Sequence, residues 1–207
     1  MKNFYFLLAL TCCLFGVFGS STAQDSIRHE LSVNATNLLA NIFSLKNENL
    51  SSPYVLNYKI FLPKGTGFRF GGGFSYNDDD NGSVQGVRAE STAYDLRLGF
   101  EKSIHISKGL YFVPSLDFLL GGKTVESSAN GFGLTTSESK IGAGPALRLV
   151  YVFKSRISLM TEVPMYFIKT SGERAEFDPV LGPSSVNFTE QSLMLNEPKV
   201  LFIGITF

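Results

Sequence analysis

Apolar side chains recur at every second position along most of this chain, the period of strands with one apolar face. Eight stretches carry it. In the first two, His29 to Leu39 sets Leu31, Val33 and Ala35 against Glu30, Ser32, Asn34 and Thr36, and Pro53 to Phe61 sets Tyr54, Leu56, Tyr58 and Ile60 against Val55, Asn57 and Lys59. Phe68, Phe70, Phe74 and Tyr76 then alternate with Arg69, Gly71, Gly73 and Ser75, and Tyr94, Leu96, Leu98 and Phe100 with Asp95, Arg97, Gly99 and Glu101. A fifth stretch opposes Leu110, Phe112, Leu116, Phe118 and Leu120 to Tyr111, Val113, Ser115 and Asp117, and a sixth opposes Ile141, Ala143, Leu147, Leu149 and Tyr151 to Gly142, Gly144, Ala146 and Arg148. The seventh turns Ile157, Leu159, Val163, Met165 and Phe167 away from Ser158, Glu162 and Tyr166, and the eighth runs from Leu201 to Phe207.

The connections sort by length. After the second, fourth and sixth stretches they are short: Leu62 to Gly67, His105 to Gly109 and Lys154 to Arg156. After the first, third, fifth and seventh they are long: Ala40 to Ser52, Asp78 to Glu90, Gly122 to Ser139 and Lys169 to Asn196. Short turns on one rim and long loops on the other, with an even strand count, are the organisation of membrane-spanning barrels. The pattern therefore predicts an all-β fold, an eight-stranded antiparallel up-and-down transmembrane β-barrel. Pro114, Pro145 and Pro164 fall inside these strands, where each removes a ladder donor, so local bulges are expected.

Charge decides which face is outside. Arg69, Asp95, Arg97, Glu101, Asp117, Arg148 and Glu162 all occupy the positions opposite the large apolar residues. Facing lipid at mid-depth, an Arg or Lys costs about 2–4 kcal/mol, whereas opposite charges can pair across a lumen that eight strands leave just wide enough for side chains to fill. These seven residues are the expected lumen charge network. Tyr54, Tyr58, Tyr76, Tyr94 and Tyr151 share the apolar face, several near strand ends where interfacial girdles form.

Lys2 followed by an apolar run from Phe4 to Phe18 and the small residues Gly19 to Ala23 reads as a secretory signal, cleaved before Gln24. The expected domains are thus residues 1–23, a signal peptide, and residues 24–207, the barrel. Cys12 and Cys13 both lie in the signal, which leaves the mature chain no thiol chemistry. Losing residues 1–23 removes one cation, Lys2, and no acid, so 17 Lys and Arg face 18 Asp and Glu. That balance gives no pull toward nucleic acid.

Candidate chemistry is sparse. Of the two histidines, His29 opens the first strand and His105 sits in a short turn, both on the rim that carries the termini. That is the wrong side for a general base acting on outer-leaflet lipid, and no catalytic residue or cofactor is assigned. Asn77, Asp79 and Asn81 followed by Gly82 mimic the start of a calcium-binding loop, but Arg88 stands where the bidentate Glu belongs. A solvated hairpin tip is the plainer reading. In the last long loop, Phe177, Val180, Leu181 and Phe188 either fold over their own rim or offer an adhesive surface.

The signal Lys2 to Ala23, the alternating strands and the ending at Phe207 resemble the small OmpA-like, porin-superfamily outer membrane β-barrel proteins. The resemblance implies location in the cell outer membrane, contact with outer-membrane lipid and lipopolysaccharide, and insertion by the barrel-assembly machinery with Phe207 as its assembly signal. It implies no cofactor, and the chain is expected to be a monomer without nucleic-acid partners. The expected function is non-enzymatic: a barrel with a side-chain-filled lumen, structural or surface-interacting through four long extracellular loops. The alternatives are a narrow conduit for small or hydrophobic solutes and, third, a lipid-modifying enzyme.

Overall fold

The computed structural model describes residues 28–36, 55–80, 87–129, 131–153, 156–195 and 201–207. The expected signal, the connection at 40–52, Tyr54 and Asn81 lie outside them. Within them the chain is all-β and antiparallel, with ten strands where eight were expected: β1 (Arg28–Asn34), β2 (Leu56–Phe61), β3 (Thr66–Asp80), β4 (Val87–Lys102), β5 (Ile104–Ser107), β6 (Leu110–Ala129), β7 (Phe132–Phe153), β8 (Ile157–Asp178), β9 (Gly182–Leu195) and β10 (Leu201–Thr206). A 3₁₀ turn, Pro63–Gly65, joins β2 to β3.

Both additional strands continue an edge that another strand already occupies. β4 and β5 lie along the same edge of β6, through Glu101↔Ser115 and Ile104↔Phe112. The break falls at Ser103, whose N–H turns aside to the Gly65 carbonyl at 2.6 Å. β9 and β10 likewise share one edge of β8, through Met165↔Leu195 and Leu201↔Thr161. Each strand pairs with its neighbour in sequence from β1 to β4, β4 continues to β6, and β6 to β7 and β8. β10 then pairs with β8 on one side and β1 on the other, so the pairings lead back to their start.

Two of the expected long loops are strands instead. β6 and β7 stay paired from Leu110↔Tyr151 to Ala129↔Phe132, which reduces the expected loop Gly122 to Ser139 to a tight tip. β8 and β9 pair from Met165↔Leu195 to Asp178↔Gly182, which converts most of Lys169 to Asn196 into a hairpin. Phe177, Val180 and Leu181 are at its exposed tip rather than folded over a rim. Of the calcium-loop mimic, Asn77 and Asp79 run in extended pairing with Ser91 and Ala89. His105, expected in a turn, pairs with Tyr111 in β5.

The prolines behave differently from expectation too. The β6–β7 register passes through Pro114 and Pro145 without a shift. On the other side of β7, Gly144 and Pro145 drop out of the pairing between Ala143↔Phe167 and Ala146↔Pro164, and the register resumes unchanged. A one-residue shift would turn every later side chain to the opposite face, so the ladder is interrupted here rather than bulged.

The two faces are inverted relative to a water-soluble protein. Phe74, Leu96, Phe118 and Ile141 point outward and are 68%, 52%, 59% and 58% exposed. On β8 the outward apolar residues run from Ile157 to Phe167, which at ~3.3 Å per residue and a tilt of ~40° makes a band roughly 25 Å tall. Inward lie Glu30, Lys59, Arg69, Arg97, Glu101, Asp117, Arg148 and Glu162, all buried. Val113, Val150, Met160 and Phe202 pack together on one side of these charges. On the other side Leu119, Ala146 and Tyr166 pack with Ile168 and Met194.

At the interruption beside Pro145, a Cβ on Gly144 would strike the Met165 carbonyl and lie 2.9 Å from the Tyr166 Cα. Gly144→Val should therefore cost about 1–3 kcal/mol, as overpacking does, and lower the urea midpoint of the folded protein in micelles. At Gly133 the nearest atom is the Phe177 Cβ at 3.6 Å, and Gly133→Val should leave that midpoint in place.

Candidate functional site: the interior charge network

Strand parity delivers the charges to one interior, and the curl of the sheet lets them meet. Arg69 on β3 is the centre. Its Nε donates to Asp117 Oδ1 at 2.8 Å, its Nη2 to Asp117 Oδ2, and its Nη1 to Glu162 Oε2 at 2.5 Å. One guanidinium thus ties β3 to β6 and to β8, which are not its neighbours in the sheet. Arg97 on β4 donates from Nη1 to Glu162 Oε1 and from Nη2 to Asn57 Oδ1 on β2. The Tyr166 hydroxyl donates to Asp117 Oδ2 at 2.5 Å. Planar guanidinium forks suit this bridging because each presents several donors in fixed directions to carboxylates on different strands.

A second centre lies at Glu101, fully buried on β4. Lys59 from β2 and Arg148 from β7 both pair with it. Arg148 Nε also lies 3.8 Å from Glu162 Oε2, which joins the two centres. Glu30 on β1 accepts from the Ser158 hydroxyl of β8 at 2.7 Å. Among the described residues the buried charges are four cations (Lys59, Arg69, Arg97, Arg148) and four anions (Glu30, Glu101, Asp117, Glu162).

Of the seven residues singled out by sequence, the structure brings six together: Arg69, Arg97, Glu101, Asp117, Arg148 and Glu162. Asp95 stands apart, nearer the long-hairpin rim, paired with Lys140 at 2.6 Å. Glu30, Asn57, Lys59 and Tyr166 join the network although the sequence reading did not include them in it. All four fall on the polar parity of their strands, and that parity is the signal that could have found them. Lys140 was missed because its strand was expected to start one residue later.

Gly99 makes the central pair possible. It lies opposite Asp117, and a Cβ there would collide with Asp117 Oδ1 and come within 2.9 Å of Arg69 Cγ.

At the opposite rim the His29 ring stacks between Tyr58 and Phe207, with centroids 5.8 and 6.0 Å away. Its Nδ1 lies 2.7 Å from the Tyr58 hydroxyl. The Phe207 backbone exchanges two bonds with His29, of 3.0 and 2.9 Å. His105 lies edge-on to Tyr111. Asp78 accepts two bonds from the Arg88 guanidinium, at 3.3 and 3.1 Å, on the outward surface.

Removing one partner from a buried ionic network costs about 3–5 kcal/mol because the others remain buried and unpaired. Glu162 serves Arg69, Arg97 and Arg148 at once, so Glu162→Gln should shift the urea unfolding midpoint strongly downward. Asp78→Asn, on the exposed pair with Arg88, should leave it unmoved.

No protein-family model matches this sequence, and no curated protein does so significantly. Among solved structures, a major outer membrane protein from Thermus thermophilus superimposes with a TM-score of 0.57 at 14% identity, over 88% of this chain and 100% of that one. CarO2 of Acinetobacter baumannii gives a TM-score of 0.42 at 11% identity, over 87% of this chain and 97% of its own. The first of these likenesses shows that the fold is that of an outer membrane β-barrel protein.

Proposed function

We propose that this chain is a non-enzymatic integral outer-membrane barrel of the small OmpA-like kind, with an interior closed by its own side chains. Its eight staves are β1, β2, β3, β4 with β5, β6, β7, β8, and β9 with β10. The observation that carries this reading is the interior charge network, four cations against four anions among the described residues, with an apolar cluster on either side. Water and ions crossing the barrel would have to displace the Arg69 and Arg97 bridges to Glu162. The role left to such a protein is structural, or exercised at the surface through the three long hairpins β3–β4, β6–β7 and β8–β9, which rise beyond the apolar band. The non-enzymatic reading also draws on the two histidines, which engage aromatic rings at the rim that carries the C-terminus.

Purified protein in planar bilayers is expected to show no steady conductance, and Arg97→Ala together with Glu162→Ala should introduce a measurable leak. Steady conductance of the unaltered protein would favour a solute conduit instead.

In this reading Phe207 is the residue recognised during assembly. Its side chain is 68% exposed and touches the barrel through His29, so it adds little to the finished fold. Phe207→Ala should lower the amount of barrel inserted in cells while the urea midpoint of the refolded variant stays unchanged. A matching loss of both would assign Phe207 a packing role.

A further inference from the structure

Resting on the outer-membrane reading, we propose that the rim of short turns is a docking ring for the carboxylate-bearing polymer of the cell wall. Cations stand all round it: Arg28 starts β1, Lys64 lies in the Pro63–Gly65 turn, Lys102 ends β4, Lys108 lies between β5 and β6, and Arg156 precedes β8. Among the described residues no acidic side chain shares that rim. The nearest in sequence, Glu30 and Glu101, are buried in the interior network. Arg28, Lys108 and Arg156 are exposed and have no acidic partner among the described residues.

The near-neutral total conceals this ring, because charge is segregated along the barrel axis. At the other end, between 170 and 191 of the β8–β9 hairpin, Glu173, Glu176, Asp178 and Glu190 outnumber one cation, Arg174. A polyanion is therefore drawn to one rim and repelled from the other. Backbone bonds fix the cationic turns to their neighbours. Gly109 accepts from the Val152 N–H and Arg156 from the Thr206 N–H, both at 2.7 Å. Lys102 Nζ donates to the Lys64 carbonyl at 2.7 Å, which holds two like charges side by side. Neighbouring cations are at most two to three strand spacings of about 4.8 Å apart. That is comparable to the Debye length of about 8–10 Å, so they act as one field.

Position selects a soluble polymer over a lipid headgroup. Lys64, Lys108 and Arg156 lie in turns and Arg28 takes the inward parity of Glu30, so only Lys102 shares the outward, lipid-facing parity of Phe100. A folded protein partner fits less well, because stable protein interfaces centre on an apolar or aromatic anchor. The turns offer Pro63, Gly65 and Gly109 between their cations instead. Separate charges on flexible stems suit carboxylates that recur along a chain, and the peptide stems of the cell wall supply such a chain on the periplasmic side.

Co-sedimentation of the folded, detergent-solubilised protein with purified peptidoglycan sacculi tests this. At low salt the protein should pellet with the sacculi, and about 0.5 M salt should release it, since exposed charges are screened. Arg28→Gln, Lys108→Gln and Arg156→Gln combined should weaken binding about tenfold, the scale of three exposed ion pairs. Sacculi whose carboxyl groups have been amidated should bind the unaltered protein as weakly, and Lys123→Gln in the β6–β7 hairpin should change nothing. Undiminished pelleting of the combined variant, undiminished binding to amidated sacculi, or an equal loss on Lys123→Gln would overturn the proposal. So would complete displacement by phosphatidylglycerol added to the micelles, which would assign the rim to lipid. Heat-modifiable migration of the same samples separates the two readings: a protein that migrates as unfolded before heating counts against the barrel, whereas a folded barrel that stays in the supernatant counts only against the docking ring.

Discussion

The ionic layer around Arg69 and Glu162 is the constraint to which the rest of the structure answers. Taking an ion out of water costs several kcal/mol even after relaxation, and eight ions are buried among the described residues. The arrangement is tolerable only if every charge meets an opposite charge or a hydrogen-bond donor, which demands that strands far apart in the sheet come together at fixed heights. Arg69 needs β6 and β8 simultaneously, Arg97 needs β2 and β8, and Glu101 needs β2 and β7. A flat sheet satisfies none of these. The curl therefore accompanies the pairing, and Gly99 is as much a part of the network as the charged residues, since its missing side chain is the space into which Asp117 and Arg69 fit.

The exterior follows from the same alternation. Once charges take the inward positions, the intervening residues face out, and they include Phe68, Phe70, Phe74, Leu96, Leu98 and Phe118. A contiguous exterior of this kind far exceeds the few hundred Å² of apolar patch that a water-soluble monomer ordinarily shows. Hydrocarbon is the solvent in which such a surface costs nothing, and closed antiparallel sheets are one of only two ways a backbone can satisfy itself there.

The inward and outward assignment of side chains was legible in the sequence because contrast was high: Arg69 between Phe68 and Phe70, Arg97 between Leu96 and Leu98. The identities of the partners were not. Lys59 shares parity with Arg69, but its pairing with Glu101 depends on register and curvature together, and Tyr166 looked like one more inward residue until Asp117 was placed beside it. The full length of β6 to β9 was hidden for a different reason. In Thr170-Ser171-Gly172-Glu173-Arg174 both faces are polar, so the period of two leaves no mark in hydropathy although the backbone ladder continues. The periodicity detects where a strand borders two media, and it falls silent where both sides are wet.

The seam at His29 and Phe207 joins residues almost the whole chain apart, the largest loop this fold has to close, and contacts of that separation form slowly. β1 therefore has no partner on one edge until β10 docks against it. During that interval β1 exposes an unpaired row of backbone donors and acceptors, the kind of edge to which any other extended chain can attach. The fold is thus most open to wrong pairing before this seam closes, and the stacked rings of Tyr58, His29 and Phe207 mark where that vulnerability ends.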